Sequence, residues 1–440
     1  MKISNVKVEQ IISTLWKNGF RAVIAGGSVR DFIRGKKAFD FDLLTNASLD
    51  ELITVFKGKN ARIVGKTFKI CLVDNIEISP ARFNQYHGSS NKTVFPDNDL
   101  AMRDFTINSM AYDMEKRELI DLFTGQKDLK NRIIRFTNDP DQRIEEDPLR
   151  IIRACRMASL IKGTIEPASL KALKIKSCLV KKRVSRERLR VEILKAMEHE
   201  TPSIFFKYLK KIDVLKHLFP CLDQCFDLDG GPYHGETVFE HCMLTGDALS
   251  FRYPLLRLAG FLHDAGKYEA AVEKEGKLFF AGHEKHTDQT RADLQYLRFS
   301  SQEINYILSI IRVHMRPLKD DTTPKAVRRL LRDLNKDKID YHDFLRMRIA
   351  DRRANLAKKP YGFSEIKSRL NKILNEVYSE KNRAFSIKDL AVSGRDVMKI
   401  LKMGQGPEVG SVLEYLFEKV LDNPKLNNKG ELKKLILEYR

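Results

Sequence analysis

The chain reads as an α+β protein: a mixed α/β portion to about residue 135, then helices almost throughout. Three observations predict this. Up to that point, short apolar runs alternate with glycine and turn residues. After Phe136, apolar residues recur every three or four positions, as in "DPLRIIRACRMASLI" and "RLRVEILKAM". The 440 residues, 42% hydrophobic and 31% charged, suffice for several packed domains rather than a disordered chain.

Each element follows in order. "KVEQIISTLWKN" (7–18) is amphipathic at helical spacing. "RAVIAGG" is a buried strand that stops at Gly26-Gly27, and "SVRDFIRG" a short helix closed by Gly35. "FDFDLLT" is a second strand. "ARIVGKTFKICLVDNIEISPAR" alternates as a hairpin pair with "VDN" near its turn. Farther on, "KALKIKSCLVKKRVSRERLR" holds nine basic residues against one acidic. "CFDLDGGPYHGET" reads as a linker into another helical region, and "KKPYGFSE" as a second break. There is no internal repeat or low-complexity tract.

The net charge is +20, from 79 basic and 59 acidic residues, which suits a polyanionic partner, nucleic acid being the commonest. No apolar stretch approaches membrane-spanning length, and the N-terminus is too polar for a signal peptide, so no membrane partner is expected. Six cysteines form no regular framework. Cys221 and Cys225 lack a second pair to complete a zinc site, and a reduced cytoplasm is the expected compartment.

Asp40 and Asp42 stand two apart in the apolar "FDFDLL" run. In a strand they share a face, where their charges repel unless a cation sits between them. The Gly26-Gly27-Ser28 turn just before offers backbone N–H groups to phosphate. Glu77, in "NIEIS", is placed to pair alongside as a third carboxylate. Three oxygen donors suit Mg²⁺, which usually keeps substrate phosphate in its shell. "EDPLR" sets Glu146, Asp147 and Arg150 within one helical turn, so that Asp147 and Arg150 share a face. Seven of the ten histidines fall between 234 and 342. His241 opens an apolar-periodic helix, His263 and Asp264 sit together on another, and His283, His314 and Asp351 follow. Imidazole with carboxylate suits a transition metal better than Mg²⁺.

"GGSVRDFIRG" followed by "DFDLLT" resembles the signature of class II tRNA nucleotidyltransferases and bacterial poly(A) polymerases. The likeness continues in order through "RDFTINSMAYD", "DLFTGQKDL", "RIEEDPLRIIRACRMA" and "VSRERLRVEI". The histidine order resembles the HD phosphohydrolase superfamily. These resemblances imply an N-terminal mixed-sheet nucleotidyltransferase head (1–135), an all-α neck for nucleotide selection and RNA binding (136–225), an HD domain (226–360) and a helical body and tail that bind tRNA (361–440). They imply CCA addition to tRNA from CTP and ATP, with the RNA 3′-hydroxyl attacking the α-phosphate. Asp40 and Asp42 would hold Mg²⁺ with Glu77 as third carboxylate, and Arg30 and Asp31 would shape the phosphate pocket. Arg103, Asp104 and Asn108 would contact ribose and triphosphate, and Arg153 belongs to the same nucleotide site. Asp147 would accept from the amino group shared by adenine and cytosine, and Arg150, oriented by Glu146, would donate to their ring nitrogen. Lys181, Lys182, Arg183 and Arg186 would bind RNA. His241, His263, Asp264 and Asp351 would hold the HD metal, acting on terminal or 2′,3′-cyclic phosphates. Met102 precedes "RDFTINSM" where the family commonly has a second arginine, and Thr67 in "IVGKTFKI" occupies a usually basic position. The segment from Phe83 to Met102 is shorter than in a full CCA-adding enzyme and lacks an obvious "DxRxP" element, so A-adding and poly(A)-adding activity stand beside CCA addition, with a catalytically silent RNA-binding protein as the non-enzyme alternative.

Overall fold

The computed structural model describes residues 5–36, 41–65, 69–81, 95–316, 323–357 and 363–439. They form two compact units: 1–196 with 204–214, and 197–203 with 215–440. The expected head (1–135) and the first neck helices thus share one unit, and the expected HD and tail regions share the other.

The first unit is built on a mixed sheet of seven strands: β1 (Ala22–Ala25), β2 (Asp42–Thr45), β3 (Arg62–Val64), β4 (Ile70–Val73), β5 (Ile76–Pro80), β6 (Met110–Asp113) and β7 (Glu118–Asp121), ordered β3-β4-β5-β2-β1-β6-β7. Only β2 and β5 run parallel. Central β1 is buried along its whole length, as its unbroken apolar run requires. The expected hairpin pair is β4 and β5, turning at Asp74-Asn75 with both φ positive, the two-residue turn that matches strand twist. The structure adds β3 as a third strand. Residues 37–40 and 66–68, and with them Asp40 and Thr67, lie outside the described residues. The helix Val6–Lys17 is capped by Asn5 and buries Val8, Ile11, Ile12 and Leu15. The helices Pro140–Glu146, Leu149–Ile161 and Arg186–Met197 follow the sheet.

In the second unit the helices Val238–Ala248, Pro254–Leu262, Ser301–Val313 and Tyr341–Ala354 pack together. Two begin in capping boxes, Thr237 with Glu240 and Ser300 with Glu303. A short hairpin (Val272–Lys274 with Lys277–Phe279) interrupts the helical series, a pair too short and polar to register as strands in the sequence. Toward the C-terminus, Val397, Val412, Leu416, Val420, Leu432 and Ile436 form a separate apolar cluster. Among the described residues, no helix is long and apolar enough to cross a membrane.

Arg257 is the largest fully buried side chain of this unit. Its guanidinium donates to the carbonyls of Met197 (2.8 Å), His199, Glu200 (2.8 Å) and Gly246 (3.0 Å). Arg257→Leu strands those acceptors without a donor, and each buried orphan costs about 1–3 kcal/mol. Thermal denaturation should show the variant's second unit unfolding several degrees below wild type.

Candidate functional site

The first unit's site begins with its main chain. Gly26 ends β1 with φ of 76°, a conformation side chains rarely adopt. A β-carbon there would collide with the Arg103 guanidinium and lie 3.5 Å from Asp42 Oδ2. The glycine thus lets the turn run close past both groups. Asp42 opens β2 opposite Ala25, and β5 sets Glu77 in register with Asp42 on the other side. Register partners on neighbouring strands point to one face about 4.8 Å apart. Two half-buried carboxylates therefore stand side by side. Like charges so placed call for a cation, and all-oxygen donors are those Mg²⁺ takes.

Asp42 lines a cleft of about 660 Å³ together with Gly27, Arg30, Arg103, Asp104, Asn108, Glu146, Asp147, Arg150 and Arg153. Behind it, Ser28 is buried with its hydroxyl on the Ala25 carbonyl (3.2 Å), and Asp31 takes a two-pronged contact from Arg30 (3.0 and 2.9 Å). Ser28 and Asp31 therefore hold the turn and Arg30 rather than line the cleft. Arg30 Nη1 donates to Asn108 Oδ1 (2.7 Å), Asn108 Nδ2 to Asp104 Oδ1 (3.1 Å), and Arg153 Nε to Asp104 Oδ2 (2.7 Å). Burial alone would raise the Asp104 pKa. The Arg153 charge, with hydrogen bonds from Asn108, Arg153 and the Phe105 N–H, instead brings it down to about 2.

The helical turn expected at "EDPLR" is broken. Asp147 is extended (φ −150°, ψ 99°) between the helices Pro140–Glu146 and Leu149–Ile161. Pro148 is the cause, because its ring excludes the helical conformation from the residue before it. Asp147 Oδ1 accepts the Leu149 N–H (3.2 Å), and both carboxylate oxygens take Arg188, at 3.1 and 2.7 Å. Arg150 Nη1 donates to Glu146 Oε2 (2.8 Å) and the Arg143 carbonyl (2.7 Å).

Sequence reasoning missed Arg143, Arg156, Arg188 and Lys195, which also line the cleft. Arg188 and Lys195 lie on a helix whose "VSRERLRVEI" run was singled out only as a motif, so the signal was at hand. Of the four expected RNA contacts, Lys181 and Lys182 are exposed. Arg183 pairs with Glu145 (2.6 Å), and Arg186 donates to the Val184 carbonyl (3.0 Å). Acids from the helix Pro140–Glu146 thus offset part of the basic run.

In the second unit a histidine-rich centre forms. His263 caps the helix Pro254–Leu262, so the His263-Asp264 pair sits in the turn beyond the helix rather than within it. Gly266 permits that turn, since a β-carbon there would strike the His283 and His286 carbonyls. Four imidazoles share one orientation. The Nδ1 of His263, His283 and His314 bonds the carbonyls of Gly260 (2.9 Å), Phe280 (2.9 Å) and Ile311 (2.5 Å), and that of His241 bonds Glu236 (2.9 Å). Each Nε2 is left facing Asp264. Its Oδ2 lies 3.3 Å from His263 and 3.7 Å from His241, and its Oδ1 lies 3.0 Å from His283 and 3.5 Å from His314. Asp351 Oδ1 is 3.2 Å from His241 Nε2. The expected four residues therefore meet, and His283 and His314 join them on the other oxygen of Asp264. Buried His263 Nε2 makes no hydrogen bond, and converging imidazole nitrogens with carboxylates are the donor chemistry of a transition metal. Burial opposes ionisation of Asp264, yet His263 and Lys267 (2.7 Å) hold its carboxyl well below the usual range. His234 and Glu236 also belong to this neighbourhood. The sequence reading took them for linker because no periodicity marks them.

A mixed sheet with paired carboxylates at an arginine-lined cleft, continued by helices, defines a two-part class of protein: an α+β head and a helical remainder. Residues 22–135 match the family described as the poly A polymerase head domain, and residues 164–226 the one described as the probable RNA and SrmB-binding site of polymerase A. Over these two stretches, which make up less than half of the chain, it is similar to the head and RNA-binding regions of poly(A) polymerases. It is 31% identical over 235 residues to poly(A) polymerase I of Haemophilus influenzae, covering 49% of this chain and 52% of that protein. It is 36% identical over 198 residues to the CCA-adding enzyme of Lactobacillus helveticus, covering 43% and 49%. These matches span about half the length of the relatives. In fold, the chain resembles the CCA-adding enzyme of Bacillus stearothermophilus in complex with CTP, with a TM-score of 0.72 at 21% identity, over 100% of this chain and 98% of that one.

The Asp104 pKa fixes a sign. A carboxyl lowered in the folded state to about 2 from an unfolded value of 3.8 stabilises above pH 4, and that contribution is lost as pH falls toward 2. The shift corresponds to roughly 2–3 kcal/mol at neutral pH. Asp104→Asn should therefore be less stable than wild type at pH 7 in denaturant titrations. The gap should narrow as pH falls from 4 to 2, and a pH-independent gap would contradict this origin.

Proposed function

We propose that the chain is a template-independent nucleotidyltransferase that adds C and A residues to the 3′ end of tRNA from CTP and ATP. One observation carries the reading. The β2–β5 register puts Glu77 beside Asp42, and Asp42 opens onto a cleft lined by seven arginines and a lysine against four carboxylates. That excess of cations suits a triphosphate, and oxygen donors at its edge suit Mg²⁺. Asp42 and Glu77, with Asp40, would hold the metal, which when bound lowers the pKa of the attacking 3′-hydroxyl and offsets charge on the leaving pyrophosphate. Arg30 and Arg103 face the phosphates, and Asp104 and Asn108 lie where ribose is read. Asp147 accepts from the exocyclic amino group of adenine or cytosine, and Arg150, braced by Glu146, donates to the ring nitrogen. Guanine and uracil reverse that pattern and leave polar groups unpaired, which a water-poor site rejects strongly. Lys181, Lys182 and their neighbours contact RNA phosphates without reading sequence.

The histidine-rich centre is proposed to be an HD-type phosphohydrolase acting on phosphate or cyclic phosphate at an RNA 3′ end. His241, His263, Asp264 and Asp351 would hold a transition metal, with His283 and His314 available for a second ion shared through Asp264. Metal there supplies an activated water and polarises the phosphoryl group.

The decisive assay supplies tRNA ending at the discriminator base with each labelled NTP in turn. CTP and ATP incorporation is expected. Incorporation of ATP alone, or untemplated A runs, favours the A-adding or poly(A) alternative, since relatives of both names match the chain. Asp42→Asn or Glu77→Gln should cut incorporation at least 1,000-fold while circular dichroism stays at wild type. Incorporation within tenfold of wild type removes the carboxylates from the reaction.

A double variant, His263→Ala with Asp264→Ala, should keep extending tRNA with a free 3′-hydroxyl and lose extension of tRNA blocked by a 3′-phosphate. Wild type that leaves the blocked tRNA untouched with every divalent metal tried defeats the repair role.

A further inference from the structure

The centre has a flank outside the four residues expected from sequence. Glu236 precedes the helix Val238–Ala248, and its side chain is 1% exposed. An ionised carboxylate so buried must be fully met by donors. Four donors reach it. Oε1 takes His241 Nδ1 and His234 Nδ1, both at 2.9 Å, and Oε2 takes the N–H of Gly235 (3.0 Å) and of Leu356 (3.1 Å). Asn355 ties the same loop down by donating to the Tyr233 carbonyl (3.1 Å). The carboxylate is therefore fixed from two chain segments, and both rings are oriented by it. With Nδ1 engaged, His241 turns Nε2 to Asp351 and Asp264. His234 turns Nε2 to Lys267 Nζ (3.4 Å), which contacts Asp264. His234 and Lys267 line a cavity of about 330 Å³ that opens onto Asp264 and Asp351.

We propose that Glu236 is a positioning residue for this centre: one carboxylate holds His241 and His234 in the Nδ1–H tautomer, presenting His241 Nε2 as a metal ligand and His234 Nε2 as the acceptor that holds the Lys267 ammonium at the cavity, where it meets a substrate phosphate. The inference rests on the proposed reading of the centre as a metal site. A carboxylate behind a ligating imidazole raises its basicity and fixes its ring, and loss of such a partner typically lowers metal affinity 10–100-fold. His234, which bears no proposed metal contact, separates the two roles. Its loss should weaken substrate binding without weakening the metal.

The experiment is a Co²⁺ titration of the full chain, read by the visible absorbance that nitrogen ligation gives, on wild type and on the His263→Ala, Glu236→Gln and His234→Ala variants. Wild type should bind and His263→Ala should lose the signal. Glu236→Gln should bind 10–100-fold more weakly, and His234→Ala within threefold of wild type with KM for a 3′-phosphorylated RNA raised and kcat little changed. If wild type gives no signal that His263→Ala abolishes, the metal reading falls and takes the inference with it. If wild type binds and folded Glu236→Gln binds equally, the metal reading stands and the positioning role is overturned. A measurement independent of any variant's folding is nitrogen NMR of ¹⁵N-histidine in the Zn²⁺-loaded wild type. His241 and His234 should both carry their proton on Nδ1, and a proton on Nε2 of His241 overturns the proposal.

Discussion

A carboxylate taken out of water has to be met by positive charge, and both candidate sites of this chain are organised by that demand. Moving an isolated ion into a protein interior costs several kcal/mol even after relaxation. In the first unit Asp104 is 7% exposed and is met by Arg153 and Asn108, and Asn108 is in turn fixed by Arg30. In the second, Asp264 is 2% exposed and faces four imidazoles and the Lys267 ammonium. Neither acid survives there through packing, so the surrounding cations are set by the acid as much as by any ligand. Breaking one partner leaves an uncompensated buried charge, which is strongly destabilising.

The pair formed by Asp42 and Glu77 is a different solution to the same demand. No cation is supplied by the opposite register neighbour of Asp42, which is Ala25. The two acids come from strands far apart in sequence and meet because β2 and β5 run parallel, the one parallel pairing in the sheet. A parallel pair cannot be joined by a tight turn. The chain therefore runs through β3 and the β4–β5 hairpin before its last arm lies beside β2. The fold thus sets two acids side by side, with Asp42 and the Arg103 guanidinium both close against Gly26.

How far the sequence revealed this depended on whether the signal was local. Apolar periodicity is local, and it exposed the switch from α/β to helix after Phe136 and the buried course of β1. The order of His241, His263-Asp264 and Asp351 is local too, and through its resemblance to the HD superfamily it implies that they meet. The turn at "EDPLR" was misjudged although its cause lay in the same five letters, because Pro148 restricts the residue before it and Asp147 cannot be helical. Other features have no local signature. Glu236 and His234 sit in a glycine-rich stretch without periodicity, and their importance comes from a ring 110 residues before the carboxylate it faces, His241 against Asp351. The basic run around Arg183 looked uniformly available, and only the folded chain brings Glu145 against it.

The two centres differ in donor chemistry, and this separates them more firmly than their position in the chain. One offers oxygen alone, the other four imidazole nitrogens around shared carboxylate. Hard Mg²⁺ gains little from imidazole and dehydrates reluctantly, whereas first-row transition metals bind nitrogen far more strongly. As proposed metal sites, the two would therefore favour different ions. All four rings are held through Nδ1, three by main-chain carbonyls and one by Glu236. A main-chain carbonyl is fixed by the fold and neutral, so it orients a ring with little effect on its charge. A buried carboxylate orients it and also makes it a stronger donor. His241 is therefore the one of these four rings oriented by a side chain, and in the proposed metal site it would be the ligand that sequence change can tune while the backbone stays as it is.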